Sequence, residues 1–392
     1  MRTWYLLLML LPGVLMGQPA RDPGIAYSVD MALRSPAGVH TLMLSNVNGL
    51  EITQDLSPLI GVHTLHLSHN QLSTWPEALR SLPGLRVLWL YYNQLDTIPG
   101  WITEFEGLEE LNLSDNRIRH LPVALMRMKQ LKVLVLRNNQ LSELPEGIGR
   151  MRELEVLDLY GNRLVQLPAA IGELKKLRRL DLHRNKLASV PPEIGRLKEL
   201  EELDLNFNEP LKDLPLEIGQ LKKLKKLDLY RDVFHRIPEG VFGLESLEEL
   251  NLSKDRITQV PPEIGKLRRL KDLDLFCNQI RSLPPEFALL TELRVLQLGN
   301  NTTLRLGPEI GGLVNLERLH LANVKGTPLP EEMVRLSKLK VLDLRNHGLS
   351  ELPSHILSMT WLQELYLGGN TFDEATREQI IQALPGVKIT FD

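Results

Sequence analysis

The chain has 392 residues, 24% of them charged, and a formal net charge of −3. So even a balance excludes bulk attraction to nucleic acid or to an anionic membrane and leaves any such binding to a local patch. Cys277 is the only cysteine, which excludes an intramolecular disulfide and leaves the fold to be held by packing. No histidine and acid are arranged recognisably around it, so it reads as a passive thiol and not a nucleophile.

Residues 1–17, MRTWYLLLMLLPGVLMG, place Arg2 ahead of an apolar run from Trp4 to Met16 and end on the small Gly17. That order is the pattern of an export signal cleaved before Gln18. The run falls short of the roughly 20 residues a spanning helix needs, and Pro12–Gly13 interrupts it. The expectation is an exported chain, secreted or periplasmic, with no membrane insertion once the signal is removed. If the segment is instead a buried apolar tail, the location is cytoplasmic. Residues 18–38 are expected to form an N-terminal cap: Ser28 is a helix cap followed by a short amphipathic turn, and Pro36 and Gly38 end it.

From Val39 to Asn370 the chain repeats. Copies of LxxLxLxxN start at Val62, Leu85, Leu108, Leu131, Leu154, Leu177 and Leu200, a step of 23; after one step of 24 they resume at Leu224, Leu247, Leu270, Leu293, Leu316, Leu339 and Leu362. A degenerate copy starts at Val39. In the copy LEVLDLYGNRLVQLPAAIGELKK, residues 154–176, the leucines at positions four and six share one face of a short strand and the residues between them face out. The LPxxIGxL half returns with Leu167, Ile171 and Leu174 turned to the same interior. No copy can bury that face alone, so stabilisation must come from stacking neighbours into one core. At ~4.8 Å between strands the array spans on the order of 70 Å along its inner arc.

These residues resemble the leucine-rich repeat superfamily in its 23-residue subtype, with the LPxxIGxL half of bacterial exported members and of Ras-group scaffold relatives. The resemblance covers the chain from Val39 onward. It implies an α/β solenoid: a horseshoe with a parallel β-sheet on the concave face and short helical or 3-10 segments on the convex face. It also implies protein–protein interaction.

The ninth position is Asn at 70, 93, 116, 139, 162, 185, 208, 278, 301 and 370. An amide there can donate to and accept from the backbone of the bend, satisfying groups otherwise buried unpaired. Asp232, Asp255, Val324 and His347 break the column. An ionised Asp only accepts, so Asp232 and Asp255, which come after the extra residue in NFNEPLKDLP (206–215), should mark a looser stretch. Residues 371–392 read as a second cap, with a helix from about Glu374 to Leu384, a Pro-Gly turn and a strand at Val387–Phe391. Cysteine-rich caps of the animal extracellular kind are absent.

Three outward columns remain. Position two alternates in sign at nearly every step from Arg86 and Glu109 to Glu317 and Lys340, so the lysine-rich LKKLKKLDLY (221–230) reads as a charge ladder neutralised by its neighbours and not as a phosphate grip. Position five carries Asp158, Asp181, Asp204, Asp228, Asp274 and Asp343, read either as a solvated acidic stripe or as an attractor for a basic partner or a cation. Position seven adds Tyr91, Tyr160, Tyr230 and Phe276, with Trp89, Tyr92 and Phe207 nearby. These rings form either a partner-binding surface, densest at Trp89, Tyr91 and Tyr92, or a stacked ladder along the sheet. His63, His66 and His69 do not make a metal site, because residues three apart on a strand face opposite ways; His40 and His63 share a column and could meet. No Gly-rich phosphate loop, HExxH or GxSxG is present. The reading is a non-catalytic binding module without cofactor or metal, recognising a protein through its concave face; the alternatives are a surface adhesin or structural protein, or an intracellular scaffold if the export signal is not one.

Overall fold

Each strand in this chain finds its neighbours one repeat away, because a constant period brings the same three positions together at every turn. The computed structural model describes residues 22, 24–47 and 49–392. The export segment expected at 1–17 lies outside them. Among the described residues 17 strands form one open parallel sheet, each paired to the next in sequence. Positions three to five make the strand, as in Val156–Asp158, Arg179–Asp181, Glu202–Asp204 and Lys226–Asp228. Register runs column on column, with Asp158 opposite Asp181 and Asp181 opposite Asp204. The single 24-residue step is absorbed in the loop at 206–215 and leaves Asp204 opposite Asp228.

The return half of each repeat is a 3-10 turn, as at Ala169–Glu173 after Pro168. Its hydrogen bonds are short-range: Ile171 N–H donates to Pro168 O at 3.0 Å and Leu174 N–H to Ile171 O at 3.2 Å. Neighbouring turns approach closely enough to require the glycine of the IG pair. A Cβ at Gly149 would lie 2.8 Å from the carbonyl oxygen of Ala170 in the next turn. The leucine columns and Ile171, Leu174 and their equivalents are buried in one continuous core running from Ala26 to Leu384.

The asparagine column behaves as its chemistry requires. Asn162 Nδ2 donates to Leu136 O of the preceding repeat at 2.9 Å and to its own Leu159 O at 3.0 Å, while its Oδ1 accepts from Leu141 N–H at 3.0 Å. Where aspartate replaces asparagine only the accepting half survives: Asp232 Oδ1 accepts from Asn208 N–H at 2.6 Å, and Asp255 Oδ1 from Asp232 and Phe234 N–H at 3.1 Å each. The second oxygens of both are buried without a partner.

At the start, Ser28 Oγ accepts from Met31 N–H at 3.1 Å and caps the helix Val29–Arg34. An edge strand that the sequence does not suggest, Ile25–Ala26, pairs with Thr41 and Leu42. At the finish, Asp373 caps the helix Glu374–Ala383, and Lys388–Thr390 pairs with Glu364–Tyr366. No helix among the described residues is long and apolar enough to cross a membrane.

Candidate functional site on the concave sheet

The flank of the sheet at position two is a run of ion pairs. Glu109 lies between Arg86 at 3.2 Å and Lys132 at 2.7 Å, and Glu201 between Arg178 at 2.5 Å and Lys225 at 2.7 Å. The other lysines of LKKLKKLDLY are also paired: Lys222 with Glu245 at 2.7 Å, Lys223 with Glu199 at 2.6 Å and Lys226 with Glu249 at 3.6 Å. These exposed contacts set register and are worth only tenths of a kcal/mol each, roughly 0.2–1. Chemistry that could distinguish a partner must therefore lie on positions five to eight.

The aromatic residues there gather into two clusters. Near the start, His66 packs edge-on against Trp89 at 4.1 Å between ring centres, Trp89 lies 6.3 Å from Tyr91, and Tyr91 5.9 Å from Tyr92. His69 stacks on Tyr92 at 4.5 Å. Trp89 Nε1–H donates to Glu110 Oε1 at 2.7 Å, and burial holds His66 down to about 4, uncharged at neutral pH. At mid-array Tyr160, His183, Phe207 and Tyr230 form a row with centres 4.8, 5.4 and 5.1 Å apart. Phe276 joins neither cluster. The rings are mostly half-buried against one another; Tyr92, at 54% exposure, and His69 stacked on it are open.

The aspartate column is not the solvated stripe the sequence suggests. Asp158, Asp181 and Asp343 are buried, at 6%, 3% and 2% exposure, while Asp204, Asp228 and Asp274 are half-buried. Carboxylates one strand apart cover each other, and long neighbouring side chains close over them. Arg137 Nε donates to Asp158 Oδ2 at 2.6 Å and its Nη2 to Asp181 Oδ2 at 3.2 Å. Arg345 grips Asp343 through two bonds of 3.0 and 2.7 Å. Burial, with the adjacent Asp181 next in weight, lifts Asp158 to about 6; burial, then Asp228 and Asp181, lifts Asp204 to about 8.

Residues 60–141 match the family model described as leucine rich repeat, and residues 124–327 that described as leucine-rich repeat region. The chain belongs to the leucine-rich repeat family. A leucine-rich repeat protein of Leptospira interrogans of known structure is 33% identical, with a TM-score of 0.88 over 94% of this chain and 99% of that one. The functional domain of InlJ from Listeria monocytogenes is 21% identical, with a TM-score of 0.71 over 89% of this chain and 72% of its own. An internalin, InlF, of the same organism is 20% identical, with a TM-score of 0.67 over 86% and 88%. These two share the fold. No curated protein matches the chain.

The leucine-rich repeat frame also shows what a residue-by-residue reading misses. Strand alternation puts His69 on the opposite face from His66, yet both touch the first aromatic cluster. His69 lies beyond the strand at position eight, where the backbone turns left-handed (φ 60°), and strand alternation no longer applies. His63 faces the flank, stacked on His40 at 5.4 Å with rings nearly parallel. At mid-array the repeat brings together Asp181, His183 and Asp204, whose ligand-type atoms all lie within 4.8 Å of one another. The signal is present as D-x-H at 181–183 with Asp one period later, but only two columns taken together reveal it.

Proposed function

We propose that this leucine-rich repeat protein is an exported, non-catalytic binding module whose concave face docks a protein partner through Trp89, Tyr91 and Tyr92. The observation that carries the reading is the first aromatic cluster. Its rings hold one another in place, its side chains have few rotatable bonds to immobilise, and Tyr92 stands open at 54% exposure. Aromatic groups preorganised in this way are the side chains that dominate binding energy. The second cluster, Tyr160, Phe207 and Tyr230 with Asp158, Asp181, Asp204 and Asp228 beside it, extends the same face. Phe276 contributes area alone. Family membership supports a protein partner, since leucine-rich repeat proteins are in general non-catalytic scaffolds.

Two measurements test the parts separately. N-terminal sequencing of the mature protein should begin at Gln18; a retained Met1 removes export from the proposal. A photo-crosslinking amino acid at Tyr92 should capture a partner that the same probe at Leu216, exposed on a convex turn, does not. The double variant Trp89→Ala, Tyr91→Ala should then weaken binding of that partner by about 2 kcal/mol or more. Unchanged affinity in the double variant would move the contact surface elsewhere.

A further inference from the structure

We infer that Asp181, His183 and Asp204 form a binding site for a divalent transition-metal ion of the zinc class on the concave sheet. Asp181 and Asp204 are register partners on adjacent parallel strands, and His183 comes two residues after Asp181, on the same face. Their three donor atoms lie within 4.8 Å of one another. Ligands held at roughly 2.0–2.2 Å from a zinc ion lie roughly 3–3.5 Å apart, so the side chains need close by only about 1–2 Å.

Two further features favour an ion in this place. The first is an orphaned oxygen. Asn206, two residues beyond Asp204, is only 8% exposed and buries its Oδ1 without any hydrogen-bond partner. Its backbone N–H donates to Asp204 Oδ1 at 3.1 Å, and its carbonyl accepts from Arg184 N–H at 2.9 Å, which fixes it beside the His183 strand. A water on the metal would donate to that oxygen and satisfy it. The second is support from neighbouring groups. His183 is held between Tyr160, edge-on at 4.8 Å, and Phe207, stacked at 5.4 Å. Arg137 orients Asp181 through Oδ2 at 3.2 Å, as outer-shell partners of metal ligands do.

Donor chemistry selects the ion. Two carboxylates and an imidazole suit zinc and its neighbours, whereas calcium and magnesium prefer oxygen alone. Three protein ligands leave at least one position open. That position takes water, and it faces the side of the sheet on which the proposed partner docks. The site is distinct from the Trp89 cluster, so either proposal can fail alone.

The test uses the full chain, stripped of metal with a chelator and titrated with Co2+ by visible absorption, then with Zn2+ by competition. One ion per chain is expected. Loss of a direct ligand in His183→Gln or Asp204→Asn should weaken binding by at least the roughly 10–100-fold that accompanies loss of an outer-shell partner. Asp204→Asn also removes one of the crowded carboxylates, so it should melt no lower than the parent, which separates lost binding from lost folding. His63→Gln, on the flank, and the Trp89→Ala, Tyr91→Ala variant should bind as the parent does. Absence of binding, binding that survives both His183→Gln and Asp204→Asn, or binding abolished by His63→Gln overturns the assignment.

Discussion

At the ninth position of a repeat, one atom separates a satisfied bend from a strained one. Asparagine offers an acceptor and a donor; ionised aspartate offers only acceptors. Asp232 and Asp255 nevertheless sit buried in that column, each with Oδ1 bonded to backbone N–H groups and Oδ2 alone. A proton on Oδ2 would supply the donor that Asn Nδ2 supplies elsewhere. Burial raises the two carboxyls accordingly, Asp232 from 3.8 to about 9 and Asp255 to about 7. The folded protein therefore keeps protons that the unfolded chain releases. Stability from these residues is complete below their unfolded value of 3.8 and is lost as pH rises through about 7 and about 9. Asp232→Asn should thus stabilise the protein, with a gain near zero at pH 4 and growing to pH 9, where it reaches on the order of 1–3 kcal/mol, the cost of a buried unpaired group. Urea denaturation of parent and variant across that range measures the difference. A pH-independent gain would mean that the aspartate is not protonated in the fold.

The element that carries the array is the bend, not the strand. Three-residue strands are too short to be stable alone, and what ties one to the next is the amide at position nine. Asn162→Ala removes four hydrogen bonds, leaving Leu136 O, Leu159 O and Leu141 N–H in the dry interior, and Tyr160 O at its edge, without that partner. The expected loss is about 2–4 kcal/mol, more than the roughly 1 kcal/mol of a single hydrogen bond; Asn162→Asp should cost less at pH 5 than at pH 8, because a protonated carboxyl regains the missing donor. A melting temperature for Asn162→Ala within a degree of the parent would show the column to be dispensable. This is also the level at which the sequence is most legible. Constant columns of Leu, Asn and Pro-x-x-Ile-Gly report strand, bend and turn directly, and the caps at Ser28 and Glu374 come from local chemistry. Lateral distance is not legible. Asp158 and Asp181 look solvated in a linear reading because Arg137, which covers both, belongs to the preceding repeat. His69 reaches Tyr92 because of a left-handed residue, which alternation does not anticipate. Asp181, His183 and Asp204 meet only when a period of 23 is laid beside a spacing of two.

Across the whole molecule, the same periodicity makes each repeat nearly interchangeable in place while the surface pattern it carries is not. Most contacts link neighbouring repeats, with the Arg137–Asp181 pair reaching one repeat further, so stability should depend on keeping phase more than on keeping length. Deleting residues 108–130, one whole period between the two aromatic clusters, rejoins the chain in phase and places position one of the next repeat after the turn of the last. The shortened protein should keep a single cooperative melt and an unchanged far-ultraviolet spectrum, and its sheet should contract by one strand spacing, ~4.8 Å. A deletion of 20 residues over the same stretch slips every later column, turns core leucines outward and should not fold. The in-phase deletion also brings Trp89, Tyr91 and Tyr92 one strand nearer to Asp181, His183 and Asp204; it keeps every ring of both groups but puts Val133 where Glu110 accepts from Trp89 Nε1–H. A partner that bridges both must then lose affinity, whereas one that touches only the first cluster must not. Metal binding should persist in either case. If the in-phase deletion unfolds as readily as the out-of-phase one, the repeats are not independent neighbours, and the concave face cannot be treated as two separable sites.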